Sequence, residues 1–260
     1  MSFPQRDRWT WRLAPWLLPL ALLTLWWLAA TRGWMNDALF PSPWDVATAC
    51  WGLIRSGELA EHLAVSSVRA LSGFLLGAGL GFLLGIANGW SPWAERLLDT
   101  PLQMLRNIPH LALVPLLILW CGIGEETKVV LVALGVFFPV YVNTLLGFRN
   151  VDPAMVEMGR AYGLSRITLF RDVFFPGALP SILVGIRYGL GIMWMTLIVA
   201  ETIASSSGIG YLAMNAREFM QDDVVVLSIL LYAALGKLAD WVARRFESRL
   251  LLWHPGYRTR

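Results

Sequence analysis

Asp152–Gly191, DPAMVEMGRAYGLSRITLFRDVFFPGALPSILVGIRYGLG, is the stretch that decides how this chain is read. Asp152 is an N-cap residue and Pro153 takes the first helical position, where its missing N–H removes nothing the helix uses. Met155, Met158, Ala161 and Tyr162 recur at helical spacing on one side, Glu157 and Arg160 fall on the other, and Gly163 offers the left-handed residue that ends such a helix. Ser165 caps a second helix, Arg166–Val173, which Pro176 and Pro180 break before a long apolar helix starts. The result is a helix-turn-helix knob, polar enough for water, between two hydrophobic spans.

These residues also carry a resemblance. Glu157-Met158-Gly159, Gly163 six residues after the Glu, and Val173-Phe174-Phe175-Pro176 resemble the EAA loop of the membrane subunits of bacterial ABC importers, which reads Glu-Ala-Ala, Gly, then Ile-x-Leu-Pro. Met158 and Gly159 replace the two alanines, and the glycine loosens the helix by about 0.8–1.0 kcal/mol. The likeness extends through RNIPHLALVPLLILWCGIGEETK before the knob and LIVAETIASSSGIGYLAMNAREF after it, and covers nearly the whole chain. It is to the permeases of nitrate, taurine and aliphatic-sulfonate importers, most closely those for aliphatic sulfonates. The resemblance implies a homodimer, two cytoplasmic ATPase subunits gripping the knobs, and an extracytoplasmic binding protein that delivers the solute. It places Glu157, Met158, Gly159, Arg160, Tyr162, Gly163, Leu164 and Pro176 at the ATPase contact. ATP and Mg would be bound by the partner ATPase, with no cofactor in this chain.

Composition points the same way without the family. With 57% apolar residues, 15% charged residues and 14 Trp in 260 residues, the chain is too apolar for a soluble domain of its size and belongs in a bilayer. A net charge of +3 with no basic run argues against nucleic acid as a partner. Cys50 and Cys121 have no second Cys or His at metal-ligand spacing and read as packing residues.

Outward from the knob, the chain divides into a cytoplasmic N-terminus 1–12, a six-span permease domain 13–243 with its coupling loop at 152–178, and a basic cytoplasmic tail 244–260. Leu13–Ala30 is an uncleaved first span, because Pro15, Pro19 and the Trp26-Trp27 pair do not suit a signal peptide. Arg32–His62 is a wet segment with one short amphipathic helix, capped by Ser42, entered through Pro43 and stopped at Gly57. The second span, Ala70–Trp90, holds Gly73, Gly77, Gly81, Gly85 and Gly89, and glycine at every fourth residue leaves a bare stripe for close approach of another helix. A packing seam is the reading preferred over a pathway lining. SPWAERLLDTPLQMLRN is too charged to span. The third run, Ile108–Gly124, is broken by Pro109 and Pro115, carries His110, and is a candidate pathway wall. Val129–Phe148, with Asn143 inside it, Leu179–Ala204 and Val224–Ala243 complete the six, and the outer segment SSSGIGYLAMNAREFMQDD lies between the last two.

The 21 Lys and Arg orient these spans. Arg69, Arg187 and Lys237 lie within or beside them; Arg32, Arg55, Lys128 and Arg217 fall on one side; the remaining fourteen, 21 less three less four, fall with the termini. By the positive-inside rule both termini and the knob are cytoplasmic. No Walker-type phosphate loop, zinc signature or nucleophile elbow is present, so no catalytic centre can be drawn. An intramembrane enzyme would need a polar catalytic pair, and a non-transporting scaffold would not need broken third and fifth helices.

The pathway and gate candidates are His110, Asn143, Arg187, Trp194, Met195 and Glu201. Arg187 and Glu201 are nearly four turns apart on one helix face, about 21 Å along the axis. Glu201 is expected to bond the following SSSGIG turn or a neighbouring helix and fix an outer gate, with Trp194 and Met195 narrowing the path. Arg187 either snorkels to lipid phosphate or serves as a permissive charge for an anion.

Overall fold

The computed structural model describes residues 8–33, 41–203 and 205–253, and every regular element among them is helical. The helices are α1 (Arg8–Thr31), α2 (Pro43–Ser56), α3 (Glu58–Trp90), α4 (Pro92–Arg106), α5 (Val114–Cys121), α6 (Glu125–Arg149), α7 (Pro153–Ala161), α8 (Arg166–Leu169), α9 (Phe175–Ile203), α10 (Ile209–Glu218) and α11 (Asp222–Leu250). A 3-10 turn, His110–Leu113, precedes α5, and a π segment, Phe170–Phe174, joins α8 to α9. The start of the N-terminus, Ala204 and the end of the basic tail from His254 lie outside the described residues.

Four helical stretches are long and apolar enough to cross a bilayer: Glu58–Trp90, Glu125–Arg149, Arg166–Ile203 and Asp222–Leu250. The pair Pro92–Arg106 and His110–Cys121, bent by 82°, makes a fifth if taken as one broken span, and Trp16–Thr31 is a shorter apolar helix. The third apolar run therefore differs from the expected single span. α5 has 8 residues, about 12 Å, against a hydrocarbon thickness of about 30 Å. The segment expected to be too charged to span is helix α4, so the crossing, where made, is shared between α4 and α5.

The chain forms two compact units. One comprises the described residues up to Glu61 together with Leu212–Leu230. In it Ala49 and Leu53 of α2 pack with Leu212 and Ala216 of α10 and with Val224 and Val225 of α11. The Ser42–Gly57 helix has the expected ends. Ser42 Oγ accepts from the Asp45 N–H at 3.3 Å, the Ser42 amide donates to Asp45 Oδ2 at 2.9 Å, and Gly57 closes the helix at φ 85°. The Ser42 hydroxyl, then its amide, hold the Asp45 carboxyl below its usual range.

The other unit comprises His62–Tyr211 and the described residues from Leu231 on, with α6 at its centre. On one side of α6 lies the glycine stripe of α3. A methyl group at Gly73 would come within 2.6 Å of Val132 Cβ, at Gly81 within 2.5 Å of the Phe137 carbonyl oxygen, at Gly85 within 2.6 Å of Thr144 Cβ and at Gly89 within 2.5 Å of Phe148 Cβ; Gly77 abuts the Ala133 backbone. Bare positions on one helix thus seat the backbone of the next, as small-residue seams do in lipid. On its other side α6 meets α9 in the same way, where Gly185 lies against Asn143 and Pro139 and Gly147 against Ala178.

Pro176 and Pro180 do not break the knob's second helix as expected. One continuous helix runs Arg166–Ile203, 38 residues, with Pro180 inside it. The physical reason is the π segment: the Phe175 N–H reaches back to the Phe170 carbonyl, and this wider turn makes room just before a residue with no N–H to give.

Candidate functional site

Three arrangements in the larger unit hold the residues that the sequence singles out. The first is the knob. Asp152 Oδ1 accepts from the Ala154 N–H at 2.9 Å, so α7 starts where expected. α7 ends through Tyr162 and Gly163 at φ 74°, the Leu164 N–H closing on the Gly159 carbonyl at 3.1 Å. Val156 and Gly159 face inward, with Val156 packed beside Val151 and Leu169, whereas Met155, Met158 and Tyr162 are exposed, Tyr162 to 81%. Gly159 is needed there, since a methyl group on it would meet Leu169 Cδ1 at 2.7 Å. The outer surface of the knob is therefore a mixed patch of Met155, Met158, Tyr162 and Ile167 with Glu157 and Arg160. Exposed methionine and aromatic side chains beside charges are what a docking surface presents.

The knob is clamped from below. Trp90, the last residue of α3, stands edge-on to Phe170 at 5.1 Å and to Phe174 at 4.9 Å, and Phe148 of α6 stacks on Phe170 at 5.6 Å. Leu164, Arg160 and Trp90 border a cavity of about 540 Å³ between knob and helix ends.

The second arrangement is a buried polar junction. Glu201 near the end of α9 is 1% exposed and Arg69 of α3 is 4% exposed, and Arg69 Nη1 donates to Glu201 Oε1 at 2.9 Å. Ser66 donates to the same carboxylate at 2.8 Å, the Gly210 N–H at 2.9 Å and the Tyr232 hydroxyl at 3.1 Å. Arg69 also bonds Glu125 Oε2 through Nε at 2.5 Å, the Ser207 carbonyl through Nη1 at 2.6 Å and Ser207 Oγ through Nη2 at 3.0 Å. The fork of one guanidinium thus joins α3, the first turn of α6, the end of α9 and the SSSGIG turn. Gly208, at φ 106°, lies directly over the Glu201 carboxylate, where a side chain would strike its oxygens, and its N–H donates to His62 Nδ1 at 3.1 Å. Arg69 and Glu201 stood out as ionisable residues at a span. Ser66, Glu125, Ser207 and Tyr232 did not. The signal for Glu125 and Ser207 was the charge on Arg69 itself, which inside a span needs acceptors brought to it by other elements.

The third is a groove on α9 and α11 of about 570 Å³, lined by Val184, Arg187, Tyr188, Ile192, Met195 and Asp240 among others. Arg187 neither snorkels free nor stands alone: its Nε donates to Asp240 Oδ1 at 2.7 Å, and its Nη1 lies 3.7 Å from Glu247 Oε2. Asp240 is shared with Arg244 and lies 3.9 Å from Lys237. The face that carries Arg187 and Glu201 therefore begins in an open groove and ends in the bundle interior. Trp194, between them, is packed into the core edge-on to Tyr232, while Met195 lines the groove.

His110 and Asn143 lie apart from both. His110 Nε2 is 3.2 Å from Thr196 Oγ1, pinning the 3-10 turn to α9, and Asn143 Nδ2 donates to the Pro139 carbonyl at 2.8 Å within α6. No group of three or more His, Cys, Asp or Glu that could hold a metal occurs among the described residues.

Residues 77–252 match the family described as "Binding-protein-dependent transport system inner membrane component". The chain is 59% identical, over 96% of its length and 95% of the relative's, to the aliphatic sulfonates transport permease protein SsuC of Escherichia coli (strain K12). It is 45% identical, over 98% of its length and 92% of the relative's, to the protein of the same name in Bacillus subtilis (strain 168). With the taurine transport system permease protein TauC of Escherichia coli (strain K12) it shares 35% identity over 90% of its length and 86% of the relative's. Among solved structures it is similar in fold to a chain of the MetNI methionine ABC transporter in inward-facing conformations, with a TM-score of 0.53 and 20% identity over 76% of this chain and 97% of that one.

Proposed function

The chain belongs to the family of binding-protein-dependent transport system inner membrane components, and from that membership we propose that it forms, with a second copy, the pathway of an ATP-driven importer for aliphatic sulfonates. It is a permease subunit of the inner membrane, a transport component and not an enzyme. The observation that carries the solute is that the two relatives matched over nearly the whole chain are aliphatic sulfonates transport permease proteins by name. The taurine permease among the relatives keeps taurine as a second reading, and taurine too bears a sulfonate.

Six spans are counted from α1, α3, the bent α4–α5 pair, α6, the Arg166–Ile203 helix and α11. An even number puts both termini on one side, and the Lys/Arg asymmetry puts that side, with the knob, in the cytoplasm. Two copies meet about a two-fold axis, each supplying half of the path. Two ATPase subunits, which hold ATP and Mg, dock on the exposed Met155, Met158, Tyr162 and Gly163 surface, with Glu157 and Arg160 at its edge. Their closure moves the knobs as rigid bodies, and the Trp90, Phe148, Phe170 and Phe174 cluster passes that motion to α3, α6 and α9. A binding protein loads the opposite side, where the Arg69–Glu201 junction ties the helix ends together.

Reconstitution of the permease with its ATPase and binding protein in proteoliposomes tests this. ATP-dependent uptake of hexane-1-sulfonate is expected. Uptake of some other solute with no sulfonate uptake would refute the solute, and purification without any ATPase chain would refute the transport reading.

A further inference from the structure

Taken across a bilayer, the Arg166–Ile203 helix carries Arg187 near its middle. Along α9 Arg187 is 12 residues, about 18 Å, from Phe175, and 16 residues, about 24 Å, from Ile203. Trp90, packed on Phe170 and Phe174 at the knob end, is the type of residue that marks a bilayer interface, and with the interface at that level Arg187 lies inside the hydrocarbon layer. Asp240, its partner, is 18 residues from the start of α11 and three residues, about 5 Å, before the expected end of the sixth span at Ala243, so the pair lies inside the span toward its charged end. Yet the pair is open, Arg187 to 39% and Asp240 to 28%. A half-open ion pair at that depth cannot face lipid, because hydrocarbon does not solvate it; it faces a water-filled path.

The two membrane arginines are also spent differently. Arg69 gives its N–H groups to Glu125, Glu201, Ser205 and Ser207. Among the described residues Arg187 makes one hydrogen bond, through Nε to Asp240; its Nη1 is only within ion-pair distance of Glu247, at 3.7 Å, and its Nη2 has no hydrogen-bond partner. Tyr188 beside it is 64% exposed, and its hydroxyl has no hydrogen bond among the described residues. Unspent donors on a membrane-depth cation, open to a groove, are free to hold something that arrives.

The groove specifies the chemistry. Arg187 and Tyr188 supply polar groups to the lining; along α9, Val184 lies one turn before them and Ile192 and Met195 form an apolar wall one to two turns after. At about 570 Å³ it has the size of a small-molecule site. Around the ion pair stand three cations, Arg187, Lys237 and Arg244, and two carboxylates, Asp240 and Glu247. Asp240 therefore keeps two cationic partners if Arg187 lets it go.

We propose that Arg187 is an anion-binding station of the transport path, where the sulfonate of an alkanesulfonate displaces the Asp240 carboxylate from the guanidinium while its alkyl chain lies on Ile192 and Met195. A sulfonate offers oxygens for the parallel two-bond contact that arginine favours. Asp240 swings to Arg244 and Lys237 and then returns, so that the pair refills when the anion leaves and Arg187 is never bare in the membrane. The exchange keeps affinity low enough for release. This rests on the sulfonate-importer reading given above.

The test uses the purified complex of permease and ATPase, without binding protein, followed by thermal shift on titration with hexane-1-sulfonate, with hexane-1-ammonium as the control. The wild type is expected to be stabilised by the sulfonate only. Arg187→Gln should raise the half-saturating concentration by about tenfold or more, as loss of a charge-assisted two-bond contact does. Asp240→Asn removes the competitor and should lower it severalfold. If Arg187→Gln fails to assemble, Asp240→Asn carries the test alone. No shift in the wild type, or an unchanged half-saturation in the assembled variants, overturns the station. Sulfonate uptake by the wild type in proteoliposomes alongside that result would leave the transport reading standing, and absence of that uptake would remove both.

Discussion

Arg69 of α3 and Glu201 of α9 form an ion pair of 2.9 Å with both side chains sealed from solvent, while the second carboxylate on Arg69, Glu125, is 60% exposed. Their energetic weights should differ accordingly. Arg69→Ala leaves the Glu201 carboxylate buried with no cation, a loss of about 3–5 kcal/mol. Glu125→Gln removes a half-exposed carboxylate but keeps a hydrogen-bonding oxygen for Arg69 and Lys128, so it should cost less than Arg69→Ala. Removing both buried charges together, Arg69→Met with Glu201→Met, should cost less than the two single changes summed, because neither charge is then left alone. Thermal unfolding of the detergent-solubilised complex measures all of these. Equal losses for Glu125→Gln and Arg69→Ala would show that the buried pair is not what holds the junction.

The glycine seam makes a second prediction. A side chain at Gly81 would run into the Phe137 carbonyl at 2.5 Å, backbone that cannot rotate away, so Gly81→Leu must separate α3 from α6. Overpacking costs typically about 1–3 kcal/mol, and a clash with backbone belongs at the upper end. Gly79, two residues away, has open space around its missing side chain and should accept Ala with little change. Lower assembly yield and melting temperature for Gly81→Leu, with an unchanged order of preference among solutes, is the expected pattern. Normal stability with altered solute choice would mean that the seam lines the path.

What could be read from the sequence was local or periodic. The Ser42 and Asp152 caps, the Gly57 and Gly163 stops and the four-residue glycine repeat are each set by a few neighbouring residues, and each appears at its expected place. The misreadings depended on geometry that neighbouring residues do not set. Pro176 and Pro180 looked like helix breaks because the π segment that absorbs a missing N–H leaves no periodic mark. The spacing of α7 left open which side turns inward, and the inward position goes to Val156 and Gly159, which fit against Leu169. The Arg69 and Arg187 networks join residues 53 to 138 positions apart, and no spacing rule reaches across that separation.

Gly163 should be sensitive for reasons of conformation and location together. Its φ of 74° costs an L-residue roughly 1–2 kcal/mol, and a side chain placed there meets nothing within the chain, so it projects from the knob. Gly163→Ala then tests strain alone and should only weaken coupling. Gly163→Trp adds bulk on the proposed ATPase surface and should abolish ATP-driven uptake while the subunit still inserts in the membrane. Co-purification of the ATPase and uptake at wild-type levels in Gly163→Trp would mean that the ATPase docks elsewhere.

Coupling between knob and spans should pass through Trp90. Its ring meets Phe170 and Phe174 edge-on, and these two residues belong to the π segment, the part of the Arg166–Ile203 helix where the hydrogen-bond ladder is already loosened. Each aromatic pair contributes about 0.5–1.5 kcal/mol beyond its buried area, so Trp90→Ala removes a clamp of about 1–3 kcal/mol at the weakest point between the docking surface and α9. Phe148 stacks on the same two rings and holds the cluster to α6, so the fold itself should survive. The knob would then yield to the ATPase without carrying α3 along. ATP hydrolysis in Trp90→Ala proteoliposomes should stay near the wild-type rate while solute moved per ATP falls severalfold, with Trp90→Phe in between. If the two rates fall in proportion, the clamp serves assembly of the complex, and the motion reaches the spans by another route.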